Sequence, residues 1–538
     1  MKKLYPEESV QAIADAIRAK KDLQIDKAGK MKIADMAKKI SGIRLGCPIN
    51  VSMHMQDGVW VRPDGWPDLD ALEYGEDELY MTFDASSRID DPFCSFTISG
   101  ANYTVTIGSQ TWTKDAGSTF QYAFAGSDGT YPLVHVKADG HITSFAFVGY
   151  TTNGRTYSRK QNPLVERIGD VYDYGGGSGW GTYYLEREKV VRHACASRSL
   201  AELWSCNYSL QSLDLSGWDT TNWAVTSLYC TWSGCHSLQS LDVSGWDTTN
   251  WAVTSLYCTW SGCYSLQSLD VSGWDTTNWA VTSLQYTWSG CYSLQSLDLS
   301  GWDTTKWAVT SLQSTWSCCY SLQSLDVSGW DTTKWAVTSL QSTWYCNYSL
   351  QSLDVSGWDT TNWAVTSLQY TWYCNYSLQS LDVSGWDTTN WAVTSLYCTW
   401  NGCYSLQSLD VSGWDTTNWN VSSILCMVYE LRSLRKLDLS FLDMSKITEW
   451  TSSSYPQCTY EGLEEFVCGE NNYGKFVQTY AYVRIMNSIK LTHDSIVEFG
   501  KMLAPVTTKH YFQMGSELSN KLTTAEKAEI TAKGWTII

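Results

Sequence analysis

Two kinds of side chain recur in this chain at a spacing of 28 residues and a third clusters where the repeats vary, and each could do a different chemistry. Asp214, Asp242 and Asp270 begin a row of carboxylates that continues through Asp298, Asp326, Asp354, Asp382 and Asp410 to Asp438. Hard cations take carboxylate and carbonyl oxygens, so a stacked acidic row is a candidate cation site. The alternative is a solvated acidic face relieved by the flanking Ser212 and Ser216 hydroxyls. Trp223, Trp251, Trp279, Trp307, Trp335, Trp363, Trp391 and Trp419 form a row of indoles whose flat faces would suit sugar rings or a partner surface. Packing in the core is the competing reading. Tyr229, Tyr257, Tyr286, Tyr345, Tyr370, Tyr373 and Tyr397 fall where otherwise copied units differ. Tyrosine, serine, asparagine and glycine are residue types that recognition surfaces favour, although drift on an exposed face would leave the same trace.

The elements that must position these rows follow from the repeat. The stretch from Ser209 to His236, SLQSLDLSGWDTTNWAVTSLYCTWSGCH, is copied nearly verbatim to about Arg432 with no insertion. Self-similarity at a fixed period of this size is the mark of a solenoid. Leu210, Leu213 and Leu215 make an L-x-x-L-x-L pattern in which the last two alternate across Asp214, as a strand with one buried face requires. After the Gly217-Trp218-Asp219-Thr220 turn, Val225, Leu228, Trp232 and Cys235 recur at steps of three, four and three, which predicts a helical segment. Asp219 is placed to accept backbone N–H groups in an Asx-turn. One such unit cannot bury its apolar side alone, so neighbours must stack. The expected fold is a β/α solenoid of the leucine-rich-repeat kind over 209–458, with Ser199, Leu200 and Trp204 beginning a half-unit in a linker and cap at 164–208.

The wording SLQSLDVSGWDTTN followed by W-S-G-C resembles the BspA-like leucine-rich repeats of bacterial and phage surface proteins. It departs from them in an added pair, Trp223-Ala224. AIADAIRAKK and KIADMAKKISGI near the amino terminus, and LTTAEKAEITAKGWTII at the end, resemble segments of phage tail-associated proteins. WVRPDGWPDLD, residues 60 to 70, is similar to a module found beside such repeats; its Trp60 and Trp66 could bind sugar or pack a loop. The resemblance implies a host-recognition component of a phage tail, in contact with a host glycan or protein and with other tail proteins through its head. Its alternative is a bacterial cell-surface adhesin.

Composition bounds the remaining choices. Formal net charge is -18, and the regular repeats hold two aspartates each against Lys306 and Lys334 alone. Such a field repels nucleic acid. The 18 cysteines recur mostly at repeat positions such as Cys235, Cys263, Cys291, Cys319 and Cys403, where small buried thiols serve as core; a row of disulfides is the other reading. No zinc spacing is present, no cofactor is expected, and Tyr174 to Gly181 lacks the Lys-Ser/Thr of a P-loop. The amino terminus lacks an apolar h-region, so no secretory leader is expected, which favours a virion location over a secreted adhesin. No run approaches about 18 apolar residues, so no membrane span is expected.

Residues 1–46 read as two short amphipathic helices, a docking or oligomerising head. Residues 51–163 change to period two, with strands expected at Leu79-Phe83, Cys94-Ile98, Tyr103-Ile107, Leu133-Val136 and Ser144-Val148, an antiparallel sandwich-like domain. Residues 459–538 predict a strand-helix cap: a helix over Thr492-Leu503, a strand over Lys509-Met514, and a capping box Thr523…Glu526 opening a helix closed by Gly534. Seven scattered histidines compose no catalytic set, and no catalytic residue is proposed. A glycosidase carboxylate pair, which needs only about 5 to 9 Å of separation, is the residual enzymatic reading.

Overall fold

The leucines flanking each repeat aspartate do alternate across a strand, but a short one. Ser212–Asp214 and Ser240–Asp242 pair in parallel and in register, Leu213 opposite Leu241, and the pattern returns at Ser296–Asp298 with Ser324–Asp326 and through Ser352–Asp354, Ser380–Asp382 and Ser408–Asp410. The computed structural model describes residues 54–56, 59–61, 65–86, 91–152, 155–157, 164–171, 185–193, 199–411, 413–450, 462–477, 482–485 and 488–538. The helical head at 1–46 and the glycine-rich run at 174–181 lie outside the described residues.

The second half of each unit is where the expectation of a helix fails. Residues 221 to 237 make turns and short extended pieces. Alternate N–H groups leave the unit altogether: Cys230, Trp232 and Gly234 donate to Tyr257, Thr259 and Ser261 of the next turn at 2.9, 2.9 and 2.7 Å. The intervening N–H groups close three-residue turns, Thr231 on Leu228 and Cys235 on Trp232. Backbone φ is positive at Cys230 and at Gly234, +52° and +77°, and at their equivalents in the other turns, which no α-helix tolerates. Packed helices also sit 8–10 Å apart, about twice the 4.8 Å between neighbouring strands. With each unit bonded to the next along its turns as well as its strand, the units keep strand spacing all round, and the result is a β-solenoid of about 12 turns with few helices.

Its interior is filled by tryptophan. The indoles of Trp204, Trp232, Trp260, Trp288, Trp316, Trp344, Trp372 and Trp400 stack one per turn at centroid separations of 5.5 to 5.8 Å. A second column runs from Trp218 through Trp246 and Trp274. Buried hydroxyls hold these columns in step. Thr315 Oγ1, wholly buried, lies 2.8 Å from the Leu312 carbonyl and 3.0 Å from that of Leu284 in the preceding turn, and each turn repeats the arrangement. Thr315→Val keeps the shape and removes the donor. We expect it to cost about 1 to 2 kcal/mol, read as a lower urea midpoint at unchanged slope.

The antiparallel strands form at Glu78–Phe83, Phe93–Ser99, Tyr103–Ile107, Leu133–Ala138 and Ser144–Phe147, joined by Gln110–Lys114 and Thr119–Ala123. They build two sheets, whose facing rings meet at Phe96 with Tyr103 (6.3 Å) and Trp112 with Phe120 (5.5 Å). The segment read as a linker instead supplies two strands. Leu164–Val171 pairs antiparallel with Glu78–Phe83 and parallel with Arg187–His193, which in turn pairs parallel with Ser212–Asp214. One eight-stranded sheet therefore runs from the β domain into the first turns of the solenoid, and the edge strand that would otherwise invite another chain is covered. At the far end, His493–Met502, His510–Gln513 and Thr524–Ala532 close the stack, with Thr523 and Glu526 in a reciprocal capping box.

Candidate recognition face

The aspartate row lies on the sheet surface as a line of carboxylates, exposed from Asp242 to Asp410 and half-buried at Asp214 and Asp438. Each is engaged locally: the Ser216 hydroxyl and N–H donate to Asp214 Oδ1 at 2.6 and 3.1 Å, and Asp242 and Asp270 are held the same way by Ser244 and Ser272. Asp219 accepts the N–H and hydroxyl of Thr221 in the turn, and those bonds lower its pKa. Among the described residues no group of three or more His, Cys, Asp or Glu side chains is placed to hold a metal ion.

The Trp223 row, considered above as a ligand platform, is inside. Trp223, Trp251, Trp279, Trp307, Trp335, Trp363, Trp391 and Trp419 are all at most 3% exposed. The Trp223 N–H bonds back to Thr220 O at 2.9 Å, closing a turn that throws the indole inward against Trp218, 4.9 Å away. Their faces are covered by one another and offer nothing to a sugar. Trp66 is also occupied: it stacks on Tyr131 at 5.3 Å and donates to Glu166 Oε2 at 2.8 Å, a packing role.

The tyrosines lie differently. Inward residues Thr231, Trp232 and Cys235 alternate with positions 229, 230, 233, 234 and 236, which line one edge of the solenoid. Tyr229 is exposed and stacks on the half-buried Tyr257 at 5.2 Å, and Tyr257 meets the edge of Tyr286 at 5.9 Å. Further along, Tyr345 and Tyr373 stack at 5.1 Å while Tyr370 sets its edge against both and against Tyr397. Burial raises the Tyr345 and Tyr373 hydroxyls above the ordinary phenol range, so at neutral pH they remain protonated and able to donate.

Beside these runs a longer ladder stands that the repeat comparison did not single out. Tyr208, His236, Tyr264, Tyr292, Tyr320, Tyr348, Tyr376 and Tyr404 are half-buried and stack at 4.2 to 4.7 Å, and the Arg432 guanidinium covers the last ring at 4.4 Å. Burial lowers the His236 pKa, which keeps that ring neutral and compatible with its neighbours. The signal for this ladder was in the sequence. One aromatic falls at the same place in eight successive units, but constancy there reads as core, and only the structure shows its ring edges at the surface. Tyr229, Tyr257, Tyr286, Tyr345, Tyr370, Tyr373 and Tyr397 and the ladder thus make one aromatic and hydroxyl-bearing strip along the solenoid axis.

Two rows of cysteine differ in the same geometry. Cys235, Cys263, Cys291, Cys319 and Cys403 are fully buried, their thiols 3.1 to 3.3 Å from a tryptophan carbonyl of the preceding turn. Asparagine replaces that cysteine at Asn207, Asn347 and Asn375, and Asn375 Nδ2 donates to the equivalent carbonyl, Trp344 O, at 2.8 Å. These are core thiols, and burial raises their pKa well above the usual range. Cys230, Cys258, Cys318, Cys346, Cys374, Cys398 and Cys426 instead stand at the positive-φ corners of the variable edge, φ +52° to +60°, a conformation that costs a side-chain-bearing residue roughly 1 to 2 kcal/mol.

Taken together, the chain is a repeat protein whose units of about 28 residues stack into a β-solenoid grown from the sheet of a β domain, with its variation gathered on one edge. A family model described as "Mycoplasma protein of unknown function, DUF285" matches three overlapping stretches, residues 198–314, 254–362 and 338–458, which are the solenoid. Comparison with the curated proteins found no match.

Proposed function

We propose that the protein is a non-catalytic recognition protein that binds a cell-surface glycan or protein through the tyrosine strip, and that it acts as the host-receptor component of a phage tail. The coarse class, a surface-type repeat protein, is supported by the family match and the stacked solenoid. The observation that carries the finer reading is where the copies differ. Tyr229-Cys230 becomes Gln285-Tyr286 or Gln313-Ser314, and Ser233-Gly234-Cys235 becomes Ser317-Cys318-Cys319, Tyr345-Cys346-Asn347 or Asn401-Gly402-Cys403, while strand and turn residues barely change. Tyr229 is exposed and Ser233, Gly234, Cys318, Tyr345 and Asn401 are half-buried along one edge, whereas Ser317, Cys346 and Gly402 are buried there. The phage assignment rests on the resemblance of AIADAIRAKK and of the closing LTTAEKAEITAKGWTII to tail-associated proteins. A bacterial cell surface is the second location, favoured by the Mycoplasma description of the matching family.

A tail depolymerase would need one carboxyl held protonated beside an ionised one. The donors at the turn aspartates act the other way: hydroxyl and N–H groups of the following threonines lower Asp219, Asp247, Asp303 and Asp331.

The test is binding of the full chain to a panel of bacterial cells and to their purified surface glycans. Replacing Tyr229, Tyr345 and Tyr373 together by serine is expected to weaken binding at least tenfold, about 1.4 kcal/mol, with the circular dichroism spectrum unchanged. Ser212→Ala and Ser216→Ala should leave it unaltered, and no reducing ends should be released. If the serine variants lose binding and the tyrosine variant keeps it, recognition lies on the sheet face instead.

A further inference from the structure

Apart from Cys206, whose next corner is Gly234, the cysteines at the positive-φ corners are not scattered along the edge. They occur in consecutive turns at equivalent corners: Cys230 with Cys258, Cys398 with Cys426, and Cys318, Cys346 and Cys374 as three in a row. Backbone bonds fix their register. Cys318 N–H donates to Tyr345 O at 2.6 Å and Cys346 N–H to Tyr373 O at 2.7 Å, so equivalent corners sit about one strand spacing, 4.8 Å, apart. That separation lies within the 4.4–6.8 Å that disulfide Cα atoms span. Side chains at successive corners approach one another directly: a Cβ built at Gly402, the corner after Cys374, would lie 3.1 Å from Cys374 Sγ. Neighbouring thiols accordingly shift each other's pKa, Cys318 and Cys374 acting on Cys346, Cys258 on Cys230 and Cys426 on Cys398. The core thiols, by contrast, are spent on tryptophan carbonyls. Glycine fills the same corner at Gly234, Gly262, Gly290 and Gly402 without strain, so the three consecutive cysteines stand where a smaller residue would sit more easily.

We propose that these corners are a thiol modification site: Cys346 closes a disulfide with either Cys318 or Cys374, leaving the third as a free exchanging thiol, and Cys230–Cys258 and Cys398–Cys426 close as simple pairs, with a low-molecular-weight disulfide as oxidant. Cys318 is the entry point. It is half-buried where Cys346 and Cys374 are 5% and 9% exposed, and the neighbouring Cys346 thiol lowers its pKa toward thiolate at neutral pH, with the Ser317 hydroxyl donating to its sulfur. Its thiolate attacks one sulfur of oxidised glutathione, forming a mixed disulfide and expelling one glutathione thiolate. The Cys346 thiol gives its proton to solvent, and its thiolate attacks the Cys318 sulfur and expels the second glutathione. Two protein thiols are oxidised, one glutathione disulfide is reduced to two thiols, and no other reactant is needed. The Cys374 thiolate, in contact with Cys346 on its other side, can attack that bond and free Cys318. Each bond staples two successive turns directly beneath Tyr345 and Tyr373 or beside Tyr229 and Tyr257.

The test uses the full chain, fully reduced, then equilibrated with oxidised glutathione, alkylated and weighed intact to count the thiols consumed. Cys346→Ser is expected to form one disulfide fewer than the parent. Cys318→Ser and Cys374→Ser singly are expected to form as many as the parent, because Cys346 keeps one neighbour, and the Cys318→Ser/Cys374→Ser double variant one fewer. Oxidation should raise the parent's unfolding temperature reversibly, and raise that of Cys346→Ser by less. A parent that keeps every thiol under oxidation, equal counts in Cys346→Ser and the parent, or the loss of a disulfide in either single flanking variant, overturns the proposal.

Discussion

Trp316→Ala is expected to destabilise the solenoid by about 3 to 5 kcal/mol and to split its urea unfolding into two transitions. Trp316 is wholly buried, with Trp288 and Trp344 each 5.8 Å away along its column and Trp330 at 5.8 Å across it. Removing the indole opens a void that the stacked turns cannot close, because each is pinned to the next by its own backbone bonds. In a one-dimensional array the loss falls on the interfaces with the two neighbouring turns, so the stack is cut near its middle. The turns joined to the β domain and those joined to the carboxy-terminal cap then melt separately. Trp316→Phe gives the sharper comparison. The Trp316 Nε1 finds no acceptor, and a buried unmet donor costs about 1 to 3 kcal/mol. Phenylalanine gives up part of the stacking and relieves that cost, so we expect a net change under about 1.5 kcal/mol and a single transition. Far-UV circular dichroism against urea reads both; a single unshifted transition in Trp316→Ala would remove the tryptophan column as the source of the solenoid's stability.

How far the sequence discloses this fold depends on where the hydrogen bonds go. The period, the L-x-x-L-x-L strand and the outward aspartate are local patterns with one solution, and Ser212–Asp214 forms where the leucine alternation places it. The steps from Val225 to Cys235 have two. A helix and a run of three-residue turns share nearly the same apolar spacing, and they differ in whether Cys230 N–H bonds within its unit or to Tyr257 of the next. Periodicity carries no information about that choice. Glycine at every positive-φ corner would have announced them, but Cys230, Tyr286 and Ser314 occupy one of them. The candidate site divides in the same way. Variation pointed to the tyrosine edge, whereas the inward turn of Trp223 and the surface lie of the Tyr264 ladder depend on neighbouring turns and were out of reach.

The junction hides for another reason, and it yields the second large effect. Leu164–Val171 is interrupted by a register shift at Gly169, and Arg187–His193 begins Arg-Glu-Lys, a charged run that reads as a solvated linker. Its central charge is instead buried, while Arg187 and Lys189 stay partly exposed. Glu188, 1% exposed, accepts the Arg167 guanidinium and, at 3.0 Å, the indole N–H of Trp204, the first member of the tryptophan column. Beside it the equally buried Glu166 accepts Arg187 at 2.7 Å and Trp66 at 2.8 Å. Glu188→Ala would take the Glu188 carboxylate from the buried Arg167 guanidinium and unseat Trp204 at once. Breaking one side of such a pair costs about 3 to 5 kcal/mol, whereas replacing both sides by apolar groups of like volume is often neutral. We therefore expect Glu188→Ala to lower the unfolding temperature and to expose the sheet between Arg187–His193 and Ser212–Asp214 to amide exchange, with the carboxy-terminal turns still protected. The Arg167→Met/Glu188→Leu pair should restore most of that stability. Because the sheet is continuous across these strands, we expect the β domain to act as the template on which the first turn forms. Equal exchange in Glu188→Ala and the parent would show that the solenoid starts without it.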